Sequence, residues 1–136
     1  MIYLLDTNVL SERTKTRPSR KVLTFLRRLA VADARVPAIV LGEIKQGVEN
    51  DPKPELQQFL QDVLSLPVAP FDDVEALVWG EMTSRALAQG RSLYVRDFLI
   101  AATAKAHGWT VATRNTKDFS GLGVKLLNPF LEQYKG

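Results

Sequence analysis

Four carboxylates in this chain sit against apolar runs or at the expected ends of strands: Asp6, Glu43, Asp97 and Asp118. Asp6 interrupts the opening run MIYLLDTNVL, whose residues 2–5 are apolar throughout rather than alternating. That pattern reads as a strand buried on both faces of a parallel sheet. A carboxylate at the carboxyl end of such a strand lies where open α/β sheets place their ligands. Each of the other three has an ordinary use. Asp97 suits the first turn of an apolar helix and its macrodipole, Glu43 suits a solvated helix face, and Asp118 suits a loop cap. All four can nevertheless fall at one end of one sheet, with Asn115 three residues before Asp118. Clustered carboxylates raise one another's pKa values and repel. A divalent cation reverses that penalty, polarises a phosphoryl oxygen and acidifies bound water. The chemistry this set could do is therefore metal-assisted attack on a phosphate ester, anchored on Asp6.

The composition narrows the options. The chain has 136 residues, 46% of them hydrophobic and 24% charged, which fits one ordinary globular domain spanning 1–136. There is no cysteine, which removes disulfides, thiolate nucleophiles and thiolate zinc sites. The lone His107 removes any multi-histidine metal site and any convincing Ser-His-Asp set. Oxygen donors would have to hold a metal, which favours Mg²⁺ or Mn²⁺. No GxxxxGK[ST] phosphate loop is present. There is neither a signal-peptide pattern nor a run of about 20 apolar residues, so the expected compartment is the cytoplasm, with no membrane partner. A net charge of +3 and a pI near 9.3 are compatible with a polyanionic partner.

The elements that must position these residues alternate. A polar, basic stretch over residues 11–21 follows the first strand, either touching phosphates or forming a solvated face. Pro18 is placed to open a helix carrying Val22, Phe25, Leu26 and Leu29 on one face. A short strand over residues 34–38 precedes a helix from about Ile39 that contains Glu43. Another amphipathic helix, with Leu56, Phe59, Leu60, Val63 and Leu64 on its apolar face, follows a two-proline turn. A third strand over residues 66–69 leads to a helix capped by Asp72 or Asp73 and ended by Gly90. A further helix starts near Val95 and stops at Gly108, with His107 as a C-terminal residue favoured by the dipole. A fourth strand over 109–112, a loop over 113–119, a last apolar run over 124–127 and a short tail complete the chain. Alternation of this kind predicts an α/β fold, an α/β/α sandwich with a mainly parallel central sheet.

The segments LLDTNVLSE, IVLGEIKQGV, RDFLIAATAKAHG and VATRNTKDF, in this order and spacing, resemble the PIN-domain ribonucleases. Within them the chain is similar to the VapC-type toxins of bacterial toxin–antitoxin pairs, including the FitB-like branch, which the closing LLNPF also matches. The resemblance spans nearly the whole chain and implies Mg²⁺- or Mn²⁺-dependent endonucleolytic cleavage of structured RNA. Carried over by position, it implies Asp6 and Asp97 as principal metal ligands, with Glu43 completing the acidic pocket. Thr7 and Asn8 would orient Asp6 and a water. Asn115 stands where many relatives carry an acid, and Asp118 would supply the charge instead. Arg114, Arg96, Lys117 and the basic stretch from 13 to 21 would hold the RNA backbone, which positions a strand without reading its sequence. The resemblance further implies a homodimer and a small cognate antitoxin, the two assembling into a larger DNA-binding complex.

Other readings compete. A haloacid-dehalogenase-type phosphatase needs a second aspartate two positions after the first, where this chain has Asn8. A response-regulator receiver wants an acidic pair after strand one, and Asp6 is single. A catalytically silent PIN fold serving as a binding module is opposed by intact Asp6, Glu43 and Asp97.

Overall fold

The computed structural model describes residues 1–131, so the end of the expected tail lies outside the described residues. Five strands form one sheet in the order β3-β2-β1-β4-β5: β1 (Tyr3–Leu5), β2 (Ala34–Pro37), β3 (Val68–Ala69), β4 (Thr110–Ala112) and β5 (Lys125–Leu127). Every pairing is parallel, with Leu4 opposite Arg35 on one side and Val111 on the other. The helices are α1 (Thr7–Leu10), α2 (Arg20–Arg28), α3 (Ala38–Asn50), α4 (Pro54–Leu64), α5 (Asp73–Ala88), α6 (Val95–His107) and α7 (Thr116–Phe119). This is the expected α/β/α arrangement. Central strands covered on both faces must be apolar throughout, and Tyr3, Leu4, Leu5, Val111 and Ala112 are all buried. Phe98, Ile100 and the alanines at 101, 102 and 104 bury the core face of α6. Among the described residues no helix is long and apolar enough to cross a membrane.

Local chemistry sets the helix ends. The Ser19 hydroxyl caps α2 by accepting the Val22 N–H at 3.4 Å, so Pro18 precedes the cap and does not open the helix. Asp72 and Glu75 form a capping box at the start of α5, with Glu75 Oε1 accepting the Asp72 N–H at 2.7 Å. Gly108, at φ 70°, ends α6 in the left-handed conformation a side chain resists.

Several expectations need correction. The polar run after Asp6, given no element of its own above, begins as helical turns. The Asp6 carbonyl accepts the N–H groups of Val9 and Leu10 at 3.1 and 3.2 Å, which starts α1, and a 3-10 turn (Ser11–Thr14) continues it. Glu12 is buried within that turn, accepting the Ser19 N–H at 2.9 Å and pairing with Lys15 at 2.6 Å. The supposed loop at 113–119 contains α7, which buries Phe119. The third strand covers only Val68–Ala69. Leu64 is exposed, because the buried face of α4 already closes with Phe59, Leu60 and Val63. His107 is engaged by a side chain as well as lying at its helix end: Nε2 lies 2.6 Å from Glu75 Oε2, and its ring stacks on Trp109 at 4.4 Å.

Candidate active site

The strand order reverses direction from β1, with β2 on one side and β4 on the other, and ligands in open parallel sheets gather at such a switch point. Leu5 pairs with Ala112, so the next residues along each strand, Asp6 and Thr113, emerge side by side. Asp6 is fully buried, yet both oxygens of its carboxylate accept hydrogen bonds. Oδ1 accepts the Thr7 N–H at 2.7 Å, and Oδ2 accepts the Thr113 hydroxyl at 2.8 Å and Asn8 Nδ2 at 3.4 Å. These donors fix one rotamer and compensate the burial of a charge.

Glu43 comes from the second turn of α3 and is turned inward by Thr7, whose hydroxyl donates to Oε1 at 2.7 Å. Asp97 comes from the first turn of α6. Between the three carboxylates lies the guanidinium of Arg96. Its Nε donates to Glu43 Oε2 at 2.6 Å, its Nη2 to Glu43 Oε1 at 2.9 Å, and its Nη1 to Asp97 Oδ1 at 2.9 Å. Nη2 also bonds Asp6 Oδ1. Three carboxylates against one guanidinium leave a formal surplus of two negative charges.

The electrostatics follow from this packing. Burial pushes the Asp97 carboxyl above its ordinary value; Arg96 opposes the rise, and the charges of Asp6 and Asp118 add to it. Burial also acts to raise Glu43, but the bonds from Arg96 and Thr7 and the guanidinium charge outweigh it, and its pKa falls below the ordinary value. Arg96 is held still more firmly protonated than an ordinary arginine, because bonds to Glu43 and Asp6 overcome its own desolvation.

Asp6, Glu43, Asp97, Thr7 and Asn8 are thus brought into one network. Asn115 and Asp118 are not hydrogen-bonded to it through their side chains. Asn115 is exposed and touches the network through its N–H, which donates to the Thr113 hydroxyl at 3.1 Å. Asp118 is half-buried on α7 and reaches Asp97 only through its charge. The Arg114 guanidinium turns onto the Phe130 ring at 4.6 Å, while its N–H donates to Asn8 Oδ1 at 3.0 Å. Lys117 is exposed, as are Arg13, Arg17 and Arg20 of the basic stretch. Arg96, expected on the substrate side, lies among the acids, and no other cation among the described residues forms an ion pair with Asp6, Glu43 or Asp97. Thr113 escaped the sequence reading. The available signal was its place directly after strand four, once strands one and four are paired.

The donor set suits a hard divalent ion: it is all oxygen, net negative and converges on one cationic group. As placed, no three acidic or imidazole groups among the described residues stand close enough to grip one ion directly. The guanidinium spaces them, so an ion would have to take its position.

Comparison with known proteins identifies the family. Residues 3–125 match the PIN domain. Toxin FitB of Neisseria gonorrhoeae is 34% identical over 95% of this chain and 99% of its own length. The VapC ribonuclease Y4jK of Sinorhizobium fredii is 33% identical over 95% of this chain and 98% of its own. Among solved structures, that of FitAB bound to an IR36 DNA fragment superposes with a TM-score of 0.88 at 33% identity, covering 99% of this chain and all of that one. With the parallel five-stranded order and the acid network at its switch point, these matches show that the chain belongs to the PIN-domain family, in the branch that holds toxin FitB and the VapC ribonucleases.

Proposed function

We propose that this protein is the endoribonuclease toxin of a toxin–antitoxin pair, cutting RNA phosphodiester bonds with Mg²⁺ or Mn²⁺ at the Asp6–Glu43–Asp97 cluster. The observation that carries the reading is the convergence of three carboxylates, from β1's end, α3 and α6, on one cationic group with two negative charges in surplus. A divalent ion held there would supply Lewis acidity toward a phosphoryl oxygen and a bound water of lowered pKa. Asp6 and Asp97 would be its principal ligands, and Glu43 would complete the shell directly or through water. Thr7, Thr113 and Asn8 hold Asp6 in one orientation, and Thr7 also aims Glu43. Asp118 adds negative charge from α7, and Asn115 and Arg114 lie at the rim where a substrate strand would pass. The RNA would be structured, with its accessible single-stranded bases presented to the cleft.

The names of the relatives support the toxin and ribonuclease assignments, and the FitAB complex on DNA supports an assembly with a cognate antitoxin that engages DNA. A homodimer is the expected unit of that assembly. One observation favours a second reading: Arg96 stands among the three carboxylates where an ion would have to sit, an arrangement that a catalytically silent binding module could keep.

The test is cleavage of a structured RNA by the purified protein in MgCl₂ or MnCl₂. Cleavage should vanish with Asp6→Ala, with Asp97→Ala and with excess EDTA. Cutting that persists in EDTA, or in both variants, would remove the metal assignment. Absence of both cleavage and Mn²⁺ binding would favour the silent module.

A further inference from the structure

A second charged concavity lies away from the acids, between the C-terminal half of α5, the flank of α6 and the turn that follows α7. It has a volume of about 270 Å³ and three cationic residues in its wall, Arg85, Arg91 and Lys105, with no acidic residue lining it. Among the described residues none of the three has a carboxylate partner within ion-pair distance.

The concavity is built rather than incidental. Arg91 is clamped by backbone: Nη1 donates to the Ser120 carbonyl at 2.6 Å and Nη2 to the Asp118 carbonyl at 3.1 Å, with the Phe98 ring 5.7 Å away. These bonds fix the guanidinium while leaving its charge uncancelled. Gly121 lets the Arg91 head lie close to the chain, and Gly123 adjoins the Lys105 head at ordinary contact distance. Gly121 and Gly123 have φ of 79° and 74°, and a Cβ on them would lie 3.3 Å from Arg91 Nη1 and 3.5 Å from Lys105 Nζ respectively. Met82 and Leu122 supply an apolar wall beside the charges.

Fixed positive charge with no carboxylate partner is the recognition chemistry of a backbone phosphate. The volume lies just below the ~300–1,000 Å³ of pockets that enclose whole small-molecule ligands, which suits one nucleotide unit of a longer strand. The position relative to the acids agrees. Lys105 lies eight residues beyond Asp97 on the same helix, about 12 Å along its axis, and one of the two carbonyls that hold Arg91 is that of Asp118.

We infer that the Arg85–Arg91–Lys105 concavity is a second phosphate subsite, holding a backbone phosphate of the RNA away from the bond that is cut. This rests on the ribonuclease reading and adds where the strand runs. The experiment uses full-length protein carrying Asp6→Asn, so that RNA is not consumed, and measures binding of a fluorescently labelled RNA hairpin by anisotropy between about 50 and 200 mM salt. The double variant R85Q/K105Q should bind several-fold more weakly at the lower salt. The slope of log affinity against log salt should become shallower by about one, the value for one lost phosphate contact. The control is R27Q/R28Q, which removes the same charge from exposed positions on α2. It should change the slope by less than half as much.

Equal losses in the two double variants would reduce the effect to general electrostatics and overturn the subsite. So would unchanged RNA binding by R85Q/K105Q, with the ribonuclease reading left standing. Failure of both Asp6→Asn protein to bind and unaltered protein to cut any RNA would remove the two readings together. Inorganic phosphate forms a separate arm. If it competes with RNA no better against the unaltered pair than against R85Q/K105Q, the concavity does not take phosphate. If an acidic peptide is displaced from the concavity but RNA is not, the surface belongs to a protein partner and the proposal fails.

Discussion

Arg96 carries more of the site's behaviour than any other single side chain, because it decides how three acids coexist. It is bonded to Asp6, Glu43 and Asp97 at once, and Asp6 is fully buried. Removing the guanidinium leaves like charges facing one another without a counter-ion. Arg96→Gln should therefore lower the stability of the metal-free protein by about 2 kcal/mol, discounted from the cost of breaking a fully buried pair because Arg96 and Glu43 are each about one-third exposed. The same variant should gain more in thermal midpoint from added Mn²⁺ than the unaltered protein, since the ion no longer competes with a resident cation. Melts in EDTA and in MnCl₂ measure both effects. An equal gain in the two proteins would mean that the guanidinium and the ion do not share one place. At this scale Asp6, Thr7 and Asn8 were legible because they are contiguous and follow a buried strand. The inward turn of Arg96 was not legible, since an arginine beside an aspartate in sequence serves a substrate phosphate equally well.

The helices set the angles at which those side chains arrive, and α5 and α6 depend on a buried polar latch. Glu75 accepts the Asp72 N–H at 2.7 Å and lies 2.6 Å from His107 Nε2, tying the start of α5 to the end of α6. The bond from the Asp72 N–H, ahead of the contact with His107 and against the opposing effect of burial, holds the Glu75 carboxyl below the ordinary 4.5. A carboxylate with a lowered folded pKa contributes stability that is present above its unfolded value and lost as pH falls through its folded value. Glu12 and Glu43 shift the same way, whereas Asp97, raised by burial, has the opposite sign. Glu75→Gln should cost about 1–2 kcal/mol at neutral pH and flatten the loss of stability below pH 4.5. Urea unfolding followed from pH 7 down to pH 3 measures this, and an acid limb of unchanged slope would mean that Glu75 does not contribute to it. The capping box was readable from Asp72 and Glu75 themselves. The contact with His107, 32 residues away, was not.

Across the whole molecule, the sheet's register assembles the site. Because β1 and β4 are neighbours in parallel register, a hydroxyl at position 113 reaches a carboxylate at position 6. Thr113→Val keeps the shape of the side chain and removes that donor, along with the acceptor of the Asn115 N–H. The expected result is a loss of about 10–100-fold in Mn²⁺ affinity and in cleavage, the usual effect of removing a partner that orients a metal ligand. Calorimetric Mn²⁺ titration and RNA cleavage read the two quantities. Retention of both would show that the remaining donors suffice to hold Asp6.

The sequence by itself determined the alternation of elements and the double-sided burial of the first strand, and it singled out the three acids that the structure brings onto one guanidinium, because each leaves a local trace in residue type or period. It also carried the ordered motifs that mark a PIN-domain chain. Only the tertiary structure decided which groups complete the set. The strand order made Thr113 a partner of Asp6, the approach of α3 to α6 placed Arg96 among the carboxylates, and α7 kept Asn115 and Asp118 out of hydrogen-bonding contact with them. Such contacts join residues up to 107 positions apart, as Thr113 and Asp6 are. They depend on how elements pack, a quantity to which no short stretch of sequence has access. Asp6 could be read as an anchor from ten residues, but Thr113 and Arg96 emerged as its partners only once the strand order and helix packing were known.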